Sequence, residues 1–85
     1  MIAQAPKVEI YVTSWCPYCK KATNYFESKG IPYVAYDIEK DPEAAARKAK
    51  LDTRGGVPFV VIRGRNTTHY IHGYSVEQFE YALSK

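Results

Sequence analysis

Apolar residues recur along the chain with two different periods, and each change of period separates a strand from a helix. Apolar residues occupy every second position over residues 7–13, which predicts a β-strand. Over residues 17–29 they recur every three or four positions, which predicts a helix that Gly30 ends. Residues 33–38 return to strand composition.

A second helix follows, because Asp41 is a typical cap and Pro42 suits the first helical turn. We expect it to continue to Leu51, before the pair Gly55-Gly56. The run from Pro58 to Arg63 is almost entirely apolar, which is typical of a strand buried on both faces and therefore central in its sheet.

The remaining residues predict a hairpin and a last helix. Gly64-Arg65-Asn66 is typical of a turn, residues 68–72 form the returning strand, and Gly73 ends it. Ser75 is a helix cap with Gln78 three residues later. The order strand, helix, strand, helix, strand, strand, helix predicts one three-layer α/β domain over residues 1–85.

Composition excludes several classes of function. The 12 Lys and Arg exceed the 9 Asp and Glu by only three, so nucleic-acid binding has little support. The longest apolar run, residues 57–62, is too short to span a bilayer. Residues 1–6 have no charged or apolar leader, so we expect a cytoplasmic protein with no membrane partner.

The two cysteines, Cys16 and Cys19, are too few for a disulfide framework, and a bridge between them closes too small a loop to stabilise a fold. Pro17 at the first helical position leaves Cys16 as the helix cap. The helix amides and macrodipole there favour a thiolate by up to about 1 to 2 kcal/mol. We therefore expect Cys16 to be the attacking nucleophile and Cys19, further into the helix, to ionise at higher pH and to resolve the mixed disulfide.

A zinc site is the alternative for these cysteines, with His69 and His72 as further ligands. Residues three apart on one strand point to opposite faces of the sheet, so the two histidines cannot chelate one ion. We interpret them as ordinary strand residues and expect no metal site.

The chain resembles the glutaredoxins, small dithiol oxidoreductases of the thioredoxin superfamily, over essentially its whole length. The resemblance rests on Cys-Pro-Tyr-Cys at 16–19, on Arg-Gly-Gly-Val-Pro at 54–58 and on Gly73 before the last helix. It implies a thioredoxin-like fold, a four-stranded mixed sheet flanked by three helices, with a cis Val57–Pro58 bond that presents the Val57 backbone beside Cys16. It further implies a monomer with no bound cofactor, glutathione as co-substrate and disulfide-containing proteins as substrates. The implied substrate-binding residues are Tyr18, Arg54, Val57, Pro58, Gly73, Tyr74 and Ser75.

Two departures from the family pattern leave the reductant open. Ser75 replaces an acid that usually binds the glutathione amine, and Thr13 replaces a frequent lysine that binds a glutathione carboxylate. The Gly73-Tyr74 ending also resembles the glutaredoxin-like hydrogen donors of ribonucleotide reductase, which thioredoxin reductase reduces. Two other classes remain as alternatives: an iron–sulfur cluster carrier and a redox-inert binding module.

Overall fold

The computed structural model describes residues 7–52, 54–64 and 66–85, and the order of its elements is the predicted one. Most element bounds lie within one residue of the prediction. The differences are Thr13, Lys29, Ile38 and Pro58, which were predicted inside an element and lie just outside it. The predictions that involve residues 1–6 and Arg65 lie outside the described residues. The elements are β1 Lys7–Val12, α1 Pro17–Ser28, β2 Tyr33–Asp37, α2 Pro42–Leu51, β3 Phe59–Arg63, β4 Thr68–His72 and α3 Val76–Leu83.

The four strands form one mixed sheet in the order β2-β1-β3-β4. β1 pairs parallel with β2 and antiparallel with β3, and β3 pairs antiparallel with β4. The first four residues of β3 are buried, so the almost wholly apolar strand is central, as predicted.

The helices cover both faces of the sheet and produce the expected three layers. On one face, Ala22 and Phe26 of α1 and Phe79 of α3 belong to one buried apolar cluster with residues of β1, β3 and β4. On the other face, Ala44 of α2 packs with a smaller cluster that includes Phe59. Successive side chains of a strand point to opposite faces of the sheet, so β1 and β3 each contribute side chains to both clusters.

The strand register brings three loops to one edge of the sheet. Phe59 at the start of β3 lies opposite Tyr11 near the end of β1, and also opposite His72 at the end of β4. The loop after β1, the loop before β3 and the turn after β4 therefore meet at this edge.

Among the described residues, no helix is long and apolar enough to cross a membrane.

Candidate active site

Cys16 caps the amino terminus of α1, as its position before Pro17 predicts. Its backbone is extended, with φ −92° and ψ 109°, and its Sγ accepts a hydrogen bond from the Cys19 amide at 3.1 Å. A helix leaves its first amides without carbonyl partners, and here the Cys16 sulfur takes one of them.

Cys19 lies deeper than Cys16, with 2% against 6% of its surface exposed, and both thiols are free. The pKa of Cys19 is raised to about 12, chiefly by burial and also by the hydrogen bond with Cys16 and the negative charge on Cys16. A hydrogen bond with the Thr13 backbone lowers the pKa, but not by enough to offset these effects. Cys19 is therefore a neutral thiol in the reduced protein at neutral pH.

Tyr18 lies between the cysteines in sequence, and its side chain points outward, 56% exposed. Lys21 places its Nζ 5.2 Å from the centre of the Tyr18 ring, so this lysine contacts an aromatic face as well as adding positive charge to the surface of α1. Lys20 is also exposed. This surface of α1 is aromatic and cationic.

The loop before β3 contains the cis Val57–Pro58 bond that the resemblance implied. Gly55 and Gly56, which precede it, have φ values of 82° and 98°, a conformation that favours glycine. The Pro58 carbonyl accepts a hydrogen bond from the Gly73 amide at 2.8 Å, which joins this loop to the turn after β4.

The turn after β4 leads into α3 through Tyr74 and Ser75. Ser75 caps the helix, its Oγ accepting the Gln78 amide at 3.3 Å. Tyr74 is 37% exposed and its ring meets Phe79 edge-on, with the ring centres 5.9 Å apart. Thr13, where a family lysine is frequent, is buried.

His72 lies in β4, as predicted, and it also makes a contact that sequence reasoning missed. Its Nε2 lies 2.7 Å from Oδ1 of Asp52, whose side chain is fully buried. Oδ1 also accepts the amides of Arg54 and Gly55 at 3.0 and 3.1 Å, and Lys48 donates to Oδ2 at 2.7 Å. The spacing of four between Lys48 on α2 and Asp52, the C-cap of that helix, is the sequence signal that could have indicated this cluster.

Burial opposes the charged form of Asp52, but the hydrogen bonds from Lys48, the Arg54 amide, His72 and the Gly55 amide outweigh it and hold the pKa of Asp52 well below its usual range. Asp52 is therefore a carboxylate at neutral pH.

His69 lies on the opposite face of the sheet from His72, with its ring 5.7 Å from that of Tyr81 on α3. The two histidines diverge, as their spacing predicts.

Sequence reasoning also missed the environment of Trp15. Its indole Nε1 donates a hydrogen bond to Glu39 at 3.0 Å, while two thirds of the residue stays exposed. Within the described part of the chain, no three histidine, cysteine or acidic side chains converge as metal ligands would.

A dithiol at a helix amino terminus, with a cis-proline loop at the same edge of a four-stranded mixed sheet, defines a thiol redox protein of the thioredoxin fold. Residues 8–66 match the sequence model of the family described as Glutaredoxin. The chain therefore belongs to the glutaredoxin family.

Individual relatives agree with this assignment. A glutaredoxin-like 8.6 kDa protein in the rubredoxin operon of Clostridium pasteurianum is 30% identical over 92% of this chain and 99% of its own length. The crystal structure of a glutaredoxin from Archaeoglobus fulgidus is 25% identical, with a TM-score of 0.71 over 92% of this chain and 86% of that one. The glutaredoxin-like NrdH-redoxin from Escherichia coli, 17% identical, shares the fold, with a TM-score of 0.71 over 88% of this chain and 92% of its own.

Proposed function

We propose that this protein is a thiol–disulfide oxidoreductase that reduces protein disulfides and glutathione mixed disulfides, with Cys16 as nucleophile and Cys19 as resolving thiol. One observation carries the proposal: the Cys16 sulfur caps a helix and accepts the amide of Cys19, whose own thiol is buried and neutral. The two sulfurs thus occupy different electrostatic environments three residues apart.

The reaction is two successive thiol–disulfide exchanges. The Cys16 thiolate attacks one sulfur of the substrate disulfide, an S–S bond forms to Cys16, and the other substrate sulfur leaves as a thiolate. Cys19 then loses its proton and attacks the Cys16 sulfur, which releases the second substrate thiol and leaves a Cys16–Cys19 disulfide. The substrate gains two electrons and the dithiol loses two.

The environment of Cys19 supports this order of events. Two of the effects that raise its pKa, the hydrogen bond and the charge, come from Cys16. A mixed disulfide at Cys16 carries no charge and is a weaker hydrogen-bond acceptor, so both effects diminish once substrate is attached. Cys19 is therefore a neutral thiol in the reduced protein and ionises more readily once Cys16 has formed the mixed disulfide.

The three loops at the edge of the sheet form the proposed substrate groove. The Val57 backbone offers an amide and a carbonyl to an extended peptide or to glutathione. Arg54 is exposed and supplies a cation for a carboxylate. The groove is completed by Tyr18, Pro58, Gly73, Tyr74 and Ser75.

The protein acts as a monomer without a bound cofactor, in the reducing cytoplasm, where dithiols are regenerated.

Glutathione is the proposed reductant, two molecules returning the disulfide to the dithiol. Thioredoxin reductase is the second candidate, because Ser75 caps α3 where the family acid is absent and Thr13 is buried. Neither Ser75 nor Thr13 carries a charge, so neither can make the ionic contact with glutathione that the family acid and lysine make.

The roles of the two cysteines are tested with Cys16→Ser and Cys19→Ser. Each variant is assayed with one glutathionylated peptide and one protein disulfide, and adducts are located by mass spectrometry. Cys16→Ser should abolish both reactions. Cys19→Ser should trap the protein substrate on Cys16 but still turn over the glutathionylated peptide, because a second glutathione resolves it. Full activity in Cys16→Ser would overturn the assignment.

The reductant is tested by supplying the oxidised wild-type protein with glutathione and its reductase, or with thioredoxin reductase alone. Turnover with glutathione supports the leading proposal, and turnover only with thioredoxin reductase supports the second candidate. Anaerobic purification followed by a visible spectrum tests the iron–sulfur alternative, because a cluster absorbs there and a dithiol does not.

A further inference from the structure

We infer that Asp52 is a positioning residue that fixes the glycine-rich loop before β3 against the end of β4, and so sets the shape of the substrate groove. The inference rests on the proposed function, because the groove that Asp52 shapes is the proposed one. Asp52 itself is fully buried and does not touch substrate.

The loop before β3 depends on its contacts for order. Gly55 and Gly56 both have positive φ, and glycine has the most conformational freedom of any residue, so this segment gains little order from its own sequence. Among the described residues, the amides of Arg54 and Gly55 find their acceptor on the Asp52 side chain. One carboxylate oxygen thus orders the start of the loop.

The same carboxylate connects the loop to β4. The oxygen that accepts the two loop amides also contacts His72 Nε2 at 2.7 Å. The next residue, Gly73, donates its amide to the Pro58 carbonyl at 2.8 Å. The loop and the end of β4 are therefore joined twice, by Asp52–His72 on one side and by Gly73–Pro58 on the other.

The two links lie next to the proposed substrate groove. Asp52 holds the amide of Arg54, the proposed carboxylate-binding residue, and Val57, the proposed backbone partner, lies between the two links. Loss of the Asp52 oxygen frees one end of this segment and leaves the other attached. A substrate then has to order the loop when it binds, which weakens binding without altering the sulfur chemistry.

A purely structural role does not account for the choice of residue. Lys48 is almost fully buried beside Asp52, and replacing such a pair by apolar residues is often neutral or stabilising. An apolar pair would bury the end of α2 equally well. It would not accept hydrogen bonds from the two amides of the glycine-rich loop, which the Asp52 carboxylate does.

The test compares Asp52→Asn, which keeps an acceptor oxygen, with Asp52→Leu, which removes it but keeps the branched shape of the side chain. Asp52→Leu should raise KM for a glutathionylated peptide about tenfold with kcat within about twofold, and Asp52→Asn should recover most of that loss. Amide hydrogen exchange by NMR should show lost protection at Arg54 and Gly55 in Asp52→Leu only. The rate of Cys16 alkylation by iodoacetamide, which needs no groove, should stay unchanged in both.

Asp41→Leu is the matched control, because Asp41 also accepts a backbone amide, that of Ala44, but at the other end of α2. It should lower the melting temperature and leave KM unchanged. If Asp52→Leu does not fold, His72→Leu replaces it, with a smaller rise in KM expected and faster exchange at the Gly73 amide.

An unchanged KM in folded Asp52→Leu, or equal losses in Asp52→Asn and Asp52→Leu, would overturn the inference. A wild-type protein with no turnover of either substrate would instead refute the proposed function. The exchange measurements do not depend on activity, so they decide separately whether Asp52 orders the loop.

Discussion

The two faces of the sheet are built differently. Between the sheet and helices α1 and α3 lies a wholly apolar cluster, in which the rings of Phe26 and Phe79 are 5.0 Å apart. Between the sheet and α2 lies a smaller cluster around Phe59, bordered by the buried Lys48–Asp52 pair. Lys48 Nζ is 5.6 Å from the centre of the Phe59 ring, so charge and apolar surface are in direct contact there.

This difference separates stability from positioning. Apolar burial is the dominant favourable term in folding and is non-directional, so the α1 and α3 face holds the layers together. Hydrogen bonds are directional, and those of Asp52 specify where one loop lies. A substitution on the first face should therefore reduce stability most, and one on the second should change both stability and the loop.

Phe26→Ala should have the largest effect on stability. Phe26 is fully buried, and its truncation should cost about 3 to 5 kcal/mol of unfolding free energy, measured by urea denaturation. Val34→Ala is the control, because Val34 is 46% exposed and should change stability by less than about 0.5 kcal/mol. A smaller loss in Phe26→Ala than in Asp52→Asn would contradict the comparison of the two faces.

Asp52→Asn should reduce the unfolding free energy by about 2 kcal/mol at pH 7, because the carboxylate has a lower pKa in the folded protein than in the unfolded chain. A depressed carboxyl pKa contributes stability that is fully present above the unfolded value of about 3.9 and is lost as the pH falls from there through the lower folded value. The wild type and Asp52→Asn should therefore converge only in strong acid. Denaturation curves from about pH 7 to about pH 2 measure this, and a difference that stays constant with pH would refute it.

Cys16→Ser should lower the pKa of Cys19 from about 12, because it removes the charge and the sulfur contact that raise it. We expect at least a tenfold change in the ionisation equilibrium, which corresponds to about 1.4 kcal/mol. Titration of ¹³C-labelled cysteine by NMR in the variant and in the reduced wild type measures it. An unchanged pKa would mean that burial alone holds the Cys19 proton.

Glu39→Ala should have the smallest effect. The Trp15–Glu39 hydrogen bond is exposed, so its loss should change the unfolding free energy by less than about 0.5 kcal/mol. Trp15 is the one tryptophan of the chain, so its fluorescence reports the change directly. A shift in emission with unchanged stability is the expected result, and a large loss of stability would show that this contact holds the loop after β1.

The features that sequence alone determined are local ones. Periodicity and capping residues predicted every element, because strand alternation and helix termini depend on neighbours within a few positions. Cys16, Pro17 and Cys19 predicted a helix-capping sulfur and a second thiol that ionises at higher pH for the same reason, since all three belong to the start of one helix. His69 and His72 share one strand and face opposite ways, as their spacing of three predicted.

Only the tertiary structure decided the contacts between residues far apart in sequence. Asp52 and His72 are 20 positions apart, and Trp15 and Glu39 are 24 apart. No periodic pattern encodes such pairs, because each depends on the strand register and on where a loop closes. The sequence predicted which elements form, while the way in which a buried carboxylate ties the glycine-rich loop to β4 follows from how those elements pack.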